Sequence, residues 1–115
     1  MTSPLPSRGE VWEVNLDPTR GHEQAGRRPA LVVTVDIFNH GPAELVVVLP
    51  ITTTAKGIPL HVPLDPPEGG VRRPSFIKCE DVRAVSRERL IVAWGPVSES
   101  TMRAVEERLR ILLDL

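Results

Sequence analysis

The sequence predicts a mainly β protein, a small barrel with one helix at its C-terminus. Three observations predict this. Short apolar segments recur at regular intervals between turn signals. The chain holds only Trp12, Phe38, Phe76 and Trp94 as aromatics, so its core must be built from aliphatic side chains. After Ser98 the apolar period changes from that of a strand to that of a helix.

Trp12, Val14 and Leu16 alternate with Glu13 and Asn15, which marks a half-buried strand. Asp17-Pro18 ends it, because proline cannot donate to a ladder. A polar, Gly-containing loop follows, to about Arg28. Residues 30–35 and 45–49 are nearly continuous apolar runs and suit central strands. Asn39-His40-Gly41-Pro42 reads as the turn between them. Leu60, Val62 and Leu64 alternate with His61 and Pro63; Pro63 makes this an edge strand, with His61 facing outward. Residues 65–74, dense in Pro and Gly, form a loop. Residues 76–79, 82–85 and 90–94 are further short strands. Ser98 then caps a helix whose first turn carries Glu99. Met102, Val105, Leu109 and Leu112 form its apolar stripe, and Glu99–Arg103 and Glu106–Arg110 are i,i+4 pairs on its surface. Residues 1–8 read as a loose lead-in and 9–115 as one domain, as the length of 115 residues favours.

A net charge of −1 does not mark the whole chain as a polyanion binder. Residues 71–89 nonetheless carry a local excess of three positive charges, and Arg20, Arg27 and Arg28 form a second basic group. The single cysteine, Cys79, excludes an internal disulfide, and its apolar setting points to a buried, inert thiol. No signal peptide or membrane-length apolar run is present, so a cytoplasmic protein is expected.

The stretch from Asp17 to Pro29 is unusually long for a connection between two strands, and such loops tend to be functional. Its guanidinium groups match phosphate oxygens, Glu23 can act as a base, and its glycines allow a ligand close to the backbone. The same residues would also suit a solvated hairpin tip with ion pairs. Thr52, Thr53 and Thr54 end the run 45–51; their hydroxyls can meet a phosphate or ribose or simply cap a turn. His22, His40 and His61 lack metal-ligand spacing, and no phosphate-binding or nucleophile-elbow motif occurs.

Taken together, Arg8-Gly9-Glu10-Val11-Trp12, then Gly21-His22-Glu23-Gln24-Ala25-Gly26-Arg27-Arg28-Pro29 and the aliphatic run after it, resemble the opening of MazF/PemK toxins. Pro50-Ile51-Thr52, His61-Val62 and residues 77–90 resemble later segments of that family. The resemblance implies an SH3-like barrel with a C-terminal helix, usually a homodimer. It implies a cytoplasmic endoribonuclease that cleaves single-stranded RNA without metal or cofactor, through attack by the ribose 2′-hydroxyl, and that is neutralised by a cognate antitoxin protein. Carried over position by position, Arg28 and Thr52 match catalytic residues and Glu23 a weaker candidate base. Arg20, Gln24, Arg27, Thr53, His61, Arg72, Arg73 and Arg83 are expected to contact RNA. Asp81 stands where the family often has glutamine, and residues 66–74 form a longer, more basic loop than in many members. Two rival readings are a barrel that binds RNA or protein without chemistry, and a toxin of related fold that blocks a topoisomerase. The presence of both Arg28 and Thr52 disfavours the first, and the loop motif disfavours the second.

Overall fold

The structure, a computed structural model, describes residues 5–16 and 26–115. Its elements run β1 (Glu10–Asn15), β2 (Arg27–Val32), the single-turn helix α1 (Asp36–Asn39), β3 (Leu45–Thr52), β4 (His61–Leu64), β5 (Ser75–Lys78), β6 (Arg83–Ser86), β7 (Leu90–Pro96) and α2 (Glu99–Leu113). Neighbours in the sheet follow the order β4-β5-β3-β2-β1-β7, with β6 also on β3. All the ladders are antiparallel.

Five strands, in the order β6-β3-β2-β1-β7, curl around one apolar cluster and make the expected small barrel. Among the described residues β6 and β7 do not pair, so the barrel is open along that seam. A 3-10 turn, Arg87–Arg89, crosses it. Arg87 donates to the carbonyls of Asn39 and Gly41 at 2.9 and 3.1 Å, and Arg89 to that of Asn15 at 3.3 Å, latching the crossing to both sides.

Strand alternation sorts the core into two layers. Trp12, Val14, Ala30, Val32, Val46, Val48 and Val85 fill the barrel. The intervening residues Val11, Leu31, Leu49 and Ile51 point the other way, where Val62, Leu64, Ile77 and Val105 meet them. A strand buried on both faces reads as a continuous apolar run, which accounts for 45–49. Each fully buried aliphatic side chain contributes about 1.5–3 kcal/mol.

Helix α2 covers the outer layer through Val105, with Met102 and Leu109 packed against it. Ser98 caps it as expected, its hydroxyl accepting the Thr101 N–H at 3.2 Å. The expected apolar stripe stops at Leu109: Leu112 is 38% exposed, because the helix overhangs the barrel there. Glu99 and Arg103 lie 3.9 Å apart, but Glu106 pairs with Arg8 at 2.6 Å rather than with Arg110.

Arg8, at the end of the expected lead-in, is firmly anchored. Its backbone N–H donates to Asp36 of α1 at 2.7 Å, and its guanidinium to the Val33 carbonyl just after β2 and to Glu106 of α2, so this one residue ties the chain start to three places. His40, at the expected turn, lies 2.7 Å from the Pro6 carbonyl through Nε2; a carbonyl only accepts, so that nitrogen carries the proton. The turn itself is helical, with Asn39 buried and donating to the Thr34 carbonyl at 2.7 Å. Strand β2 runs from Arg27 to Val32, three residues earlier than the apolar run suggests, because β1 supplies a partner as far as Asn15.

Loop 65–74 contains a 3-10 turn, Glu68–Gly70, that packs under β7. Gly70, at φ 77°, can only be glycine, since a Cβ would sit 2.7 Å from the Trp94 carbonyl oxygen. Glu68 accepts from the Ser98 N–H at 2.8 Å, the Ser98 hydroxyl at 3.0 Å and the Thr101 hydroxyl at 2.5 Å. Burial by itself would raise its pKa, yet these three bonds outweigh burial and hold the carboxyl below its ordinary value. Such a group stabilises the fold above the ordinary carboxylate range and loses that contribution as the pH falls through its folded pKa. Replacing Glu68 by Gln should therefore cost about 1–2 kcal/mol at neutral pH. The gap from the parent should narrow only as the pH falls through the lowered folded pKa of Glu68, as thermal melts across pH would read out. Burial also pushes the Cys79 thiol up to about 12, so the native protein should resist iodoacetamide and react only once unfolded.

Candidate active site

The register brings the two strongest site residues together. Strand β2 pairs with β3 through Val32↔Val48, Leu31↔Leu49 and Ala30↔Pro50, and there the ladder stops. The main-chain groups of Pro29 face Ile51 at the next step, and Pro29 lacks the N–H that would donate to continue the ladder. Beyond Pro50, β3 pairs on its other edge with β5, through Ile51↔Ile77 and Thr52↔Phe76. Continued at the same register, the β2–β3 ladder would set Arg28 across from Thr52. Alternation puts Arg28 on the face of Ala30, and Thr52 on the face of Pro50 and Val48. The strands therefore part where a guanidinium and a hydroxyl stand on the same face.

Local structure holds each group. Arg28 pairs with Val14 and Arg27 with Asn15 across β1, so both arginines leave a paired strand rather than a free loop. The Leu16 N–H donates to the Gly26 carbonyl at 2.9 Å, closing the base of the connection, and Gly26 takes φ 78° to do so. Arg27, Arg28 and Thr53 are exposed and Thr52 half-buried. The Thr52 hydroxyl oxygen accepts the Thr54 N–H at 3.1 Å. That bond fixes the oxygen and leaves the hydroxyl hydrogen to turn toward an incoming acceptor. Arg20, Glu23 and Gln24 lie outside the described residues.

Two expected contact residues turn out otherwise. His61 does not face outward. Its side chain is 3% exposed and its Nε2 lies 2.8 Å from Glu80, while its Nδ1 is buried without a partner. Arg83 is committed to Asp81 by a two-pronged contact, Nε at 3.2 Å and Nη2 at 2.7 Å, and Lys78 stands 3.7 Å from the same carboxylate. The cause is an excursion in the edge strand. Three steps along β3, from Ile51 to Val48, are matched by six from Ile77 to Arg83, so the chain between β5 and β6 bulges out at 79–82. That bulge returns Glu80 to His61 and Asp81 to Lys78 and Arg83. Asp81 thus has a structural reason for its charge: a glutamine would remove the carboxylate that two nearly buried cations share.

Arg72 and Arg73 are exposed. Arg72 borders a hollow of about 460 Å³ with Glu13, Gly70 and Trp94, one strand from Pro29, which faces Glu13. Phe76, opposite Thr52, was not singled out by the sequence. The available signal was its placement: it alternates with Ile77, the residue that enters the core. Among the described residues no three His, Cys, Asp or Glu side chains form a metal-ligand group, and no helix is long and apolar enough to cross a membrane.

Comparison with known proteins agrees with this geometry. The chain is 36% identical over 113 residues to endoribonuclease MazF9 of Mycobacterium tuberculosis, covering 94% of this chain and 96% of that one. It is 34% identical over 109 residues to endoribonuclease EndoA of Bacillus subtilis, covering 94% of each. Its fold superposes on a crystal structure of MazF from Deinococcus radiodurans with a TM-score of 0.87 at 29% identity, over 98% of this chain and 100% of the other. The family model of the PemK-like, MazF-like toxins of type II toxin–antitoxin systems matches residues 7–113. The barrel, the parted strands and these matches together place the chain in the PemK-like, MazF-like toxin family.

Proposed function

We propose that the chain is an endoribonuclease toxin that cuts single-stranded RNA at the point where β2 and β3 part. The observation that carries this reading is the placement of Arg28 and Thr52 on one face at the end of their shared ladder. Relatives that match nearly the whole chain are named endoribonucleases, which supports the same activity here.

The reaction needs no protein nucleophile. The ribose 2′-oxygen attacks the adjacent phosphorus, its proton passes to a base, and the bond to the 5′-oxygen breaks. That oxygen leaves with a proton, giving 2′,3′-cyclic phosphate and 5′-hydroxyl ends. Arg28 supplies fixed positive charge where the phosphorane develops, which is the usual source of the largest catalytic term. Thr52 donates its hydroxyl hydrogen to a phosphate oxygen. A guanidinium is too weak an acid to give up its proton readily, so Arg28 acts by charge. Glu23 is the base we assign. Arg20, Gln24, Arg27, Thr53, Arg72 and Arg73 contact the strand on either side, whereas His61 and Arg83 hold the site's frame. No metal ion or cofactor takes part. The toxin acts as a homodimer in the cytoplasm, and an antitoxin protein with an acidic tail neutralises it by covering the basic groove. A related mycobacterial endoribonuclease has been solved with its cognate antitoxin, which fits this assignment.

Incubation of the purified protein with mixed-sequence RNA in the presence of a chelator should yield cyclic-phosphate ends. Arg28→Ala should slow cleavage by on the order of 100-fold or more. Thr52→Val, which removes the hydroxyl and keeps the shape, should slow it by about tenfold or more. Both variants should melt near the parent, since neither side chain is part of a core cluster. RNA binding without cleavage would establish the non-catalytic barrel instead, and undiminished cleavage by Arg28→Ala would remove the mechanism.

A further inference from the structure

Thr52 is one member of a row that crosses three strands. It pairs with Phe76 on β5, and Phe76 pairs with Pro63 on β4. Their chain neighbours Ile51, Ile77, Val62 and Leu64 all enter the outer core, so alternation turns Thr52, Phe76 and Pro63 to the opposite face. Phe76 is half-buried, yet it belongs to neither core cluster, and Pro63 is exposed. Phe76 is thus placed outside both core clusters, as Phe38 and Trp94 are, but it alone of the three lies directly across from Thr52, one strand spacing of about 5 Å away.

From this row we infer that Phe76, with Pro63 beside it, seats one base of the RNA next to the cleaved phosphate. The inference rests on the endoribonuclease reading and names a specificity position within that site. An unpaired base stacks on an aromatic face without needing hydrogen bonds, which is how single-stranded RNA is commonly held. The shelf has room for one base only. The next pair along the same face, His61↔Lys78, is buried and occupied by Glu80 and Asp81. On the other side the chain leads back to exposed Arg73 and Arg72, and the Ser75 hydroxyl donates to the Arg73 carbonyl at 2.8 Å. A strand whose base lies on Phe76 therefore has cations within reach for its next phosphate.

The test compares the parent protein with Phe76→Leu and Phe76→Trp on a mixed-sequence RNA pool, with the cut sites mapped by sequencing of the 5′-hydroxyl ends. Leucine keeps the apolar bulk, so thermal melts should remain close to the parent. We expect Phe76→Leu to lose about tenfold in kcat/KM, mostly through KM, and to lose base preference at one position beside the cut while keeping it elsewhere. Phe76→Trp should retain cleavage and shift that preference toward purines. An abasic nucleotide at the same position should cost the parent about as much as Phe76→Leu does, and should cost Phe76→Leu nothing further. Parent-like kcat/KM and site preference in Phe76→Leu would overturn the assignment, as would an abasic penalty of equal size in both proteins. If the parent cuts no RNA, the endoribonuclease reading fails and the shelf with it. An unchanged Phe76→Leu beside an active parent removes the shelf alone.

Discussion

Strand β3 exchanges one partner for another around Pro50, and the layout of the molecule follows from that exchange. Before it, β3 lies between β2 and β6 and helps to close the barrel. After it, β3 keeps a partner only in β5 and carries the β4–β5 hairpin away from the barrel. Pro29, which lacks the N–H that would face Ile51, ends the β2–β3 ladder at that point. The opening this leaves is where Arg28 and Thr52 stand. The chemistry assigned to the chain thus occupies a gap beside a missing backbone donor.

Rigidity around the gap comes from charged groups that the reaction does not use. Asp81 is shared by Arg83 and Lys78, and Glu80 by His61, all within the bulge between β5 and β6. Ion pairs that are nearly buried are weak evidence for net stability. Their effect here is positional, since they hold the edge strand against both halves of β3.

The helix and the chain start depend on two further anchors. Glu68 joins loop 65–74 to the first turn of α2, and Arg8 joins the N-terminal segment to β2, α1 and α2. Both act between segments distant in sequence. Neither can be read from periodicity or from i,i+4 spacing, which is why Glu106 is expected to meet Arg110 and instead meets Arg8.

The sequence by itself determined the strands, the capped helix and the two segments that carry the site. Each of these depends on local physics: alternation of apolar residues, a serine before a helical period, prolines that end a ladder. Family resemblance, carried by the motif before Pro29 and by Pro50-Ile51-Thr52, singled out Arg28 and Thr52 residue by residue. How those residues meet depends on the packing of the folded chain. It set His61 inward against Glu80 and tied Arg83 to Asp81, because the bulge at 79–82 brings both carboxylates back onto their neighbours. It also set Phe76 beside Thr52, a neighbour that depends on strand register. Register is set jointly by the apolar faces of both strands and by the turns between them, so a neighbour on another strand cannot be read from one strand's own pattern.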